Sequence, residues 1–369
     1  MADYRLISGD SHFVEPPDTW SVRVDKKFRD RAPRTVRNLD GRQGEFWIYG
    51  DDIPPIGVAG FFAAGVAARD LPDFYKRGFE AAPKSVWDPA MRLKDQDLDG
   101  IEAEVIYTSF GMPLFSLTDA ELRAACFRAF NDWAAEYCSH DLKRLVPLGL
   151  IALEDIPAAT RELSRIVKKG MRGAMIWAEP PDDRPYSHPD YEPFWAAAQD
   201  LNMPLSLHLG TGMKGHQSDA MKHLVLRVAT IHQAVERSLV VLVCDGVLEK
   251  FPNLKIVSAE HDVGWMPYLM QKMDKVQAKF SAVTGMKLSL RASEYIERQV
   301  FATFIDDDLV VDVLHHYGPD NIMWSSDYPH TAATFPHSQE FVQKLLGTVP
   351  EPSRRKVVRD TAVRLYGLG

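Results

Sequence analysis

The sequence predicts a (β/α)8 barrel of the α/β class, and three observations carry that expectation. Eight short apolar runs alternate with segments of helical periodicity along the chain. A length of 369 residues exceeds the usual single-domain size but suits one barrel with an insertion. Polar residues able to bind a metal or move a proton stand at the exits of several runs, and a barrel gathers such exits at one mouth. A doubly wound open sheet would show the same alternation; the count of runs favours the barrel.

The first run, Arg5-Leu6-Ile7-Ser8, reads as a strand that leaves through Gly9-Asp10-Ser11-His12. Side chains two apart on a strand share a face, so Asp10 and His12 project together as a claw suited to zinc or another borderline divalent ion. Alone, such a pair is more often a turn, and its meaning depends on partners downstream. Val14 to Ala90 follows, rich in Pro, Gly, Arg and Asp, with Glu45-Phe46-Trp47-Ile48-Tyr49 as its one strand-like segment. Its aromatics favour an ordered cap over a linker. Within it, Ile56 to Ala68 is apolar but too short to span a bilayer, and reads as a lid or subunit contact.

A helix over Pro89 to Asp99 turns through Gly100 into the second strand, Ile101 to Tyr107. The helix Glu121 to His140 precedes the third strand, Leu145 to Ala152. Ala158 to Lys169 is helical and stops at Gly170, a natural C-terminal cap. The fourth strand is Gly173 to Trp177, and after a helix over Tyr191 to Leu201 the fifth, Pro204 to Leu207, ends in His208. Ser218 to Lys250 reads as mostly helical, with a break near Asp245-Gly246. The sixth strand, Leu254 to Ala259, exits through Glu260-His261. A helix from Met266 to about Phe280, a seventh strand Gln299 to Phe304, a helix Leu309 to Tyr317 and an eighth strand Asn321 to Ser325 follow. Asp327-Tyr328-Pro329 leaves that strand, and helices over Gln339 to Leu346 and Ser353 to Tyr366 close the chain. Gly210-Thr211-Gly212 lacks the downstream pattern of a dinucleotide site. The expected organisation is a single domain over residues 1–369, with residues 14–90 as an elaborated loop or cap.

A net charge of −8 argues against nucleic-acid and anionic-membrane partners and leaves small-molecule chemistry. Cys126, Cys138 and Cys244 form no metal-type pair and no disulfide framework. No secretory signal pattern is present, so the cytoplasm is the expected compartment. The apolar Ile56 to Ala68 loop points to a homodimer.

Taken in order, Gly9-Asp10-Ser11-His12-Phe13-Val14-Glu15-Pro16, Pro204-Leu205-Ser206-Leu207-His208, Phe251-Pro252-Asn253-Leu254-Lys255 with Glu260-His261 through Gly264-Trp265-Met266-Pro267, and Trp324-Ser325-Ser326-Asp327-Tyr328-Pro329-His330 resemble the amidohydrolase superfamily. The resemblance is to its branch of aminocarboxymuconate-semialdehyde decarboxylase and related aromatic-acid decarboxylases and hydrolases, and covers nearly the whole chain. It implies one divalent metal, Zn²⁺ first and Mn²⁺ as the alternative, held by Asp10, His12, His208 and Asp327. It also implies His261 as an acid-base or water-orienting residue, with Asp327 or His261 supplying a catalytic proton. The branch has no metal-bridging carboxylated lysine, and Gly173-Ala174-Met175-Ile176-Trp177 offers none. Related decarboxylases often carry Glu or His where this chain has Asp10.

Glu260 takes the place of His261 if the register of that strand differs by one residue. Trp177, Phe304 and His330 are candidate substrate contacts, with Phe110 and Met112 as further walls; Asp306-Asp307 reads more readily as a helix cap. His216 reads as a surface residue, and no arginine is assigned to a substrate carboxylate. The expected activity is a metal-dependent carboxy-lyase or C–C hydrolase acting on a small aromatic or ring-derived carboxylic acid. Hydrolysis of an amide, ester or lactone is the alternative, and a non-catalytic ligand-binding barrel comes third.

Overall fold

The computed structural model describes residues 4–212, 226, 229–230 and 232–369. In chain order its strands are β1 (Leu6–His12), β2 (Arg34–Leu39), β3 (Arg42–Ile48), β4 (Ile56–Gly57), β5 (Ile101–Tyr107), β6 (Leu145–Leu150), β7 (Gly173–Ile176), β8 (Leu205–His208), β9 (Ile256–Ala259), β10 (Val300–Phe304) and β11 (Ile322–Trp324). The order β1-β5-β6-β7-β8-β9-β10-β11 makes one eight-stranded sheet whose paired neighbours are all parallel. Apart from Glu102, every residue of these strands is buried, as a parallel sheet covered on both faces requires. The eight runs are therefore the barrel, and helices such as Pro89–Asp99, Ala120–Cys138 and Ile156–Lys168 connect them.

Two features of β1 set the site. The strand continues through His12 instead of ending at Ser8, and its pairing slips between Ser8, opposite Glu104, and Ser11, opposite Ile106. Three steps along β1 thus match two along β5, a bulge that re-aims Asp10. Next to it Gly9 leaves no room for a side chain, since a Cβ there would meet Met323 Cβ at 3.0 Å. No strand ladder joins β1 to β11. The seam closes through the segment after β11: Asp327 N donates to Asp10 O at 3.1 Å, and His12 N to Tyr328 O at 2.7 Å.

Most helices fall near their expected bounds, with two differences. Ala292–Gln299 is a helix that the sequence reading passed over; Glu294 caps its start by accepting from Arg291 N at 2.8 Å. The closing helix is broken into Glu351–Arg355, a π turn over Lys356–Asp360, and Thr361–Tyr366. The break at Asp245-Gly246 is present, between Gln233–Cys244 and Val247–Lys250, whereas residues 218–225, 227–228 and 231 of the expected helical stretch lie outside the described residues. No helix among the described residues is long and apolar enough to cross a membrane.

Residues 14–90 hold short helices and an antiparallel sheet of β2, β3 and β4. Only β3 is legible as a strand, because β2, Arg34-Thr35-Val36-Arg37-Asn38-Leu39, buries no residue and shows no apolar alternation. Trp20, Trp47 and Tyr49 are buried together, with the Trp20 and Trp47 rings 4.8 Å apart, and Tyr49 Oη donates to Phe110 O at 2.8 Å. The hairpin also leans on the helix Leu71–Arg77, where Gly44, at φ +120°, would bring a Cβ to 2.7 Å from Tyr75 O. Gly44→Ala should loosen the hairpin at a cost of about 1–3 kcal/mol. Faster amide exchange across β2 and β3 would register it; an unchanged exchange pattern and denaturant midpoint would refute it.

Ile56 to Ala68 is used within the chain. Phe62 and Ala63 are buried, Phe61 packs on His330 with rings 5.1 Å apart, and Ala64 N donates to Pro329 O at 3.0 Å. Part of its apolar character is thus used within the chain.

Candidate active site

At the C-terminal mouth of the barrel, β1 supplies Asp10 and His12, β8 ends in His208, and the turns after β9 and β11 supply Glu260 and Asp327. His12 Nε2 lies 3.2 Å from Asp327 Oδ1, 3.4 Å from Asp10 Oδ1 and 3.7 Å from Glu260 Oε2. His208 Nε2 lies 3.4 Å from Asp10 Oδ2 and 3.3 Å from Glu260 Oε2. Asp10, His12, His208 and Glu260 each offer a ligand atom, all within 4.8 Å of one another; His12, Asp327 and His330 form an overlapping group.

Both imidazoles are held with Nε2 facing the cluster. His12 Nδ1 donates to Thr108 O at 3.1 Å and His208 Nδ1 to Leu209 O at 2.9 Å, which leaves Nε2 of each neutral ring as the atom free to bind an ion. Those Nε2 atoms and Asp10 Oδ1 are buried and make no hydrogen bond with any described residue. Buried polar atoms without partners are costly, and a cation between them would satisfy all at once. Three carboxylates around two imidazoles are thus a donor set that fits one divalent ion.

The electrostatics agree. Burial alone would lower the His208 pKa, but the carboxylates of Asp10 and Glu260 raise it to about 9. Burial and the negative charge of Asp327 push Glu260 up to about 8. Burial acts in the same direction on Asp327, yet His330 and His12 overcome it and hold this carboxyl well below the usual range. Without a cation, then, the cluster retains protons that an ion would displace.

Supporting contacts surround the donors. Thr108, whose carbonyl receives His12, donates through its hydroxyl to Glu15, a wholly buried carboxylate that also accepts from Phe110 N at 2.9 Å. His330 stacks on His12 with centroids 3.9 Å apart, places Nδ1 2.9 Å from Asp327 Oδ1, and sets Nε2 2.9 Å from Ser109 Oγ. Both Glu260, at φ +60°, and Asp327, at φ +56°, sit in left-handed backbone, uncommon outside glycine and frequent at functional turns.

That left-handed turn decides which of Glu260 and His261 faces the donors. Glu260 enters the cluster, the one-residue alternative raised by the sequence. His261 is buried and outside the described cavity lining, with Nδ1 3.3 Å from Ser258 Oγ and Nε2 without a hydrogen bond to any described residue. Burial, with His208 and His232 nearby, holds its pKa well below the usual value, so the ring is neutral.

A cavity of about 1650 Å³ opens above the cluster. Its described lining includes Ser109, Met112, Glu260, Asp327 and His330 from the barrel, and Arg34, Val36, Ile48, Gly60 and Phe61 from the cap. Three expected wall residues, Trp177, Phe304 and Phe110, are not in that lining. Trp177 is buried in the core with Nε1 donating to Phe115 O at 3.1 Å, and Phe304 is wholly buried at the end of β10. Strand ends alternate between mouth and core, and these two side chains take the core side. Phe110 is likewise buried under the cap against Trp47 and Phe61, whereas Met112 does reach the cavity. Asp307 caps locally, accepting from Leu309 N at 2.9 Å and from Val263 N at 2.9 Å. His216 lies outside the described residues. The residue that the sequence reading passed over is Arg34, whose signal was only its place in the cap.

Comparisons with known proteins place this geometry. Residues 80–368 match a family model described as Amidohydrolase. Gamma-resorcylate decarboxylase of Rhizobium radiobacter is 26% identical over 289 residues, which cover 75% of this chain and 86% of that protein. An amidohydrolase of Mycobacterium avium subsp. paratuberculosis K-10 superposes with a TM-score of 0.80 at 23% identity, over 100% of both chains. A dihydroxybenzoic acid decarboxylase of Polaromonas sp. JS666, solved with bound manganese and the inhibitor 2-nitroresorcinol, superposes with a TM-score of 0.70 at 21% identity. That match covers 99% of this chain and 97% of the other.

Proposed function

We propose, from the premise that this chain belongs to the amidohydrolase family, that it is a carboxy-lyase releasing CO₂ from a small aromatic or ring-derived carboxylic acid. The observation that carries the reading is the convergence of Asp10, His12, His208, Glu260 and Asp327 in one buried cluster, with both Nε2 atoms unpartnered among the described residues and with Glu260 and Asp327 lining the cavity. The similarity to gamma-resorcylate decarboxylase supports decarboxylation over the other chemistries of the family.

Asp10, His12, His208 and Asp327 would hold one divalent ion, with Glu260 as a further donor. Such an ion supplies Lewis-acid charge that binds a carboxylate and an adjacent ring oxygen. More carboxylate than imidazole in the set suits Mn²⁺ better than the Zn²⁺ put first from the sequence, and metal analysis of purified protein decides between them. Asp327, ionised at rest, lines the cavity and is assigned as the acid that delivers to the ring carbon bearing the carboxylate a proton it first takes up through His330. The C–C bond to that carboxylate then breaks, CO₂ leaves, and its bonding pair restores the aromatic ring. His330, 2.9 Å from Asp327 Oδ1 and open to the cavity, returns the proton. His261, buried near His208 and kept neutral by that burial, is assigned a supporting role.

The test uses carboxyl-labelled hydroxybenzoates in water enriched in ¹⁸O. Labelled CO₂ with no solvent oxygen in the product is expected. Product carrying solvent oxygen, with no CO₂, would replace decarboxylation by hydrolysis of an amide, ester or lactone.

A further inference from the structure

The donor set straddles the seam of the barrel, with Asp10 and His12 on β1 and Asp327 beyond β11. Ser8 Oγ accepts from Ser326 N across that seam at 2.8 Å, and one long buried side chain also spans it from outside the cavity. Arg92, on the helix Pro89–Asp99, donates from Nη1 to His12 O at 2.8 Å and from Nη2 to Tyr328 O at 3.3 Å. Its Nε donates to Glu104 Oε2 at 2.7 Å, and its guanidinium lies over the Tyr328 ring at 4.5 Å. Arg92 and Glu104 are each 2% exposed, and Gln96 Nε2 adds a 2.8 Å hydrogen bond to the same carboxylate oxygen.

A buried ion pair is poor evidence for stability, because desolvation offsets most of the attraction. What a guanidinium adds here is geometry. Its planar fork can hold one carboxylate and two carbonyls in fixed directions together, which a lysine ammonium cannot. The two carbonyls belong to His12 and to the residue after Asp327, so the fork sets how far apart the two sides of the cluster lie.

We propose that Arg92 is a positioning residue: it bridges the backbone of His12 and Tyr328 across the seam and thereby fixes the spacing of the metal donors on either side. The proposal rests on the metal reading above. It makes no contact with substrate a requirement, so its signature is ion affinity and ion environment.

The test compares wild type, Arg92→Lys and the pair Arg92→Met with Glu104→Gln. The lysine keeps a charge beside Glu104, and the double change removes the pair together so that no lone charge is buried. Mn²⁺ affinity is read by competition with a chromogenic chelator, and the ion's surroundings by electron paramagnetic resonance. Affinity about 10- to 100-fold weaker, with an altered spectrum and an ion-free Arg92→Lys protein that melts near wild type, is expected. Wild-type affinity and spectrum in either folded variant overturns the proposal while the metal reading stands. If wild type takes up neither Mn²⁺ nor Zn²⁺ stoichiometrically, the metal reading fails and this proposal with it.

Discussion

Asp327→Asn is expected to lower turnover by about 10²- to 10⁴-fold, the range over which a positioned general acid acts. The amide keeps the volume and one oxygen near His12 and His330, so the fold and the cavity should persist. The loss should appear in kcat far more than in KM, since the proton moves only in the transition state. Retention of wild-type turnover in a folded, metal-loaded variant would remove Asp327 from the chemistry. Its position makes this the most exposed point of the mechanism: the carboxylate is 3.2 Å from His12 Nε2 and 2.9 Å from His330 Nδ1, and it lines the cavity.

The second large effect is that of the ion. Chelation should abolish turnover and lower the thermal midpoint, both restored by adding the ion back; binding at 100 times its dissociation constant is worth about 2.7 kcal/mol. The pH dependence follows from the charges. In the ion-free protein His208 titrates near 9 and Glu260 near 8, so both carry protons at pH 7. An ion must displace them, so affinity falls as pH falls through this range. Loss of the His208 proton alone gives a slope of about one log unit of affinity per pH unit; a slope near two means that Glu260 also gives up its proton. Affinity independent of pH between 6 and 9 would contradict the donor set. A slope of one would leave Glu260 beside the ion and not on it.

The residues most legible in the sequence were those that end apolar runs. Asp10 and His12 close β1, His208 closes β8, and Asp327 follows β11, so a barrel topology alone brings them to one mouth. The choice between Glu260 and His261 was not legible, because it turns on a left-handed residue at φ +60° just past β9 that no periodicity encodes. Trp177, just past β7, and Phe304, the last residue of β10, lie outside the described cavity lining for a related reason: which face a side chain at a strand end takes depends on pairing and not on its neighbours in sequence. The hairpin of β2 with β3 was half hidden, since its first strand is too polar to look like one. Arg92 was invisible as a site residue, because an arginine in an amphipathic helix ordinarily faces solvent.

By itself the sequence determined the alternation of strand and helix, the barrel that alternation builds, and the opening claw of Asp10 and His12 with its partners on distant strands. Those follow from local periodicity and from residue chemistry, which need no tertiary contact to be read. Only the tertiary structure decided that a bulge aims Asp10, that Glu260 joins the donors, that the cap supplies Arg34 to the cavity, and that Arg92 ties the seam. Each of these depends on backbone geometry or on contacts between residues far apart in the chain, and those exist only once the barrel has closed.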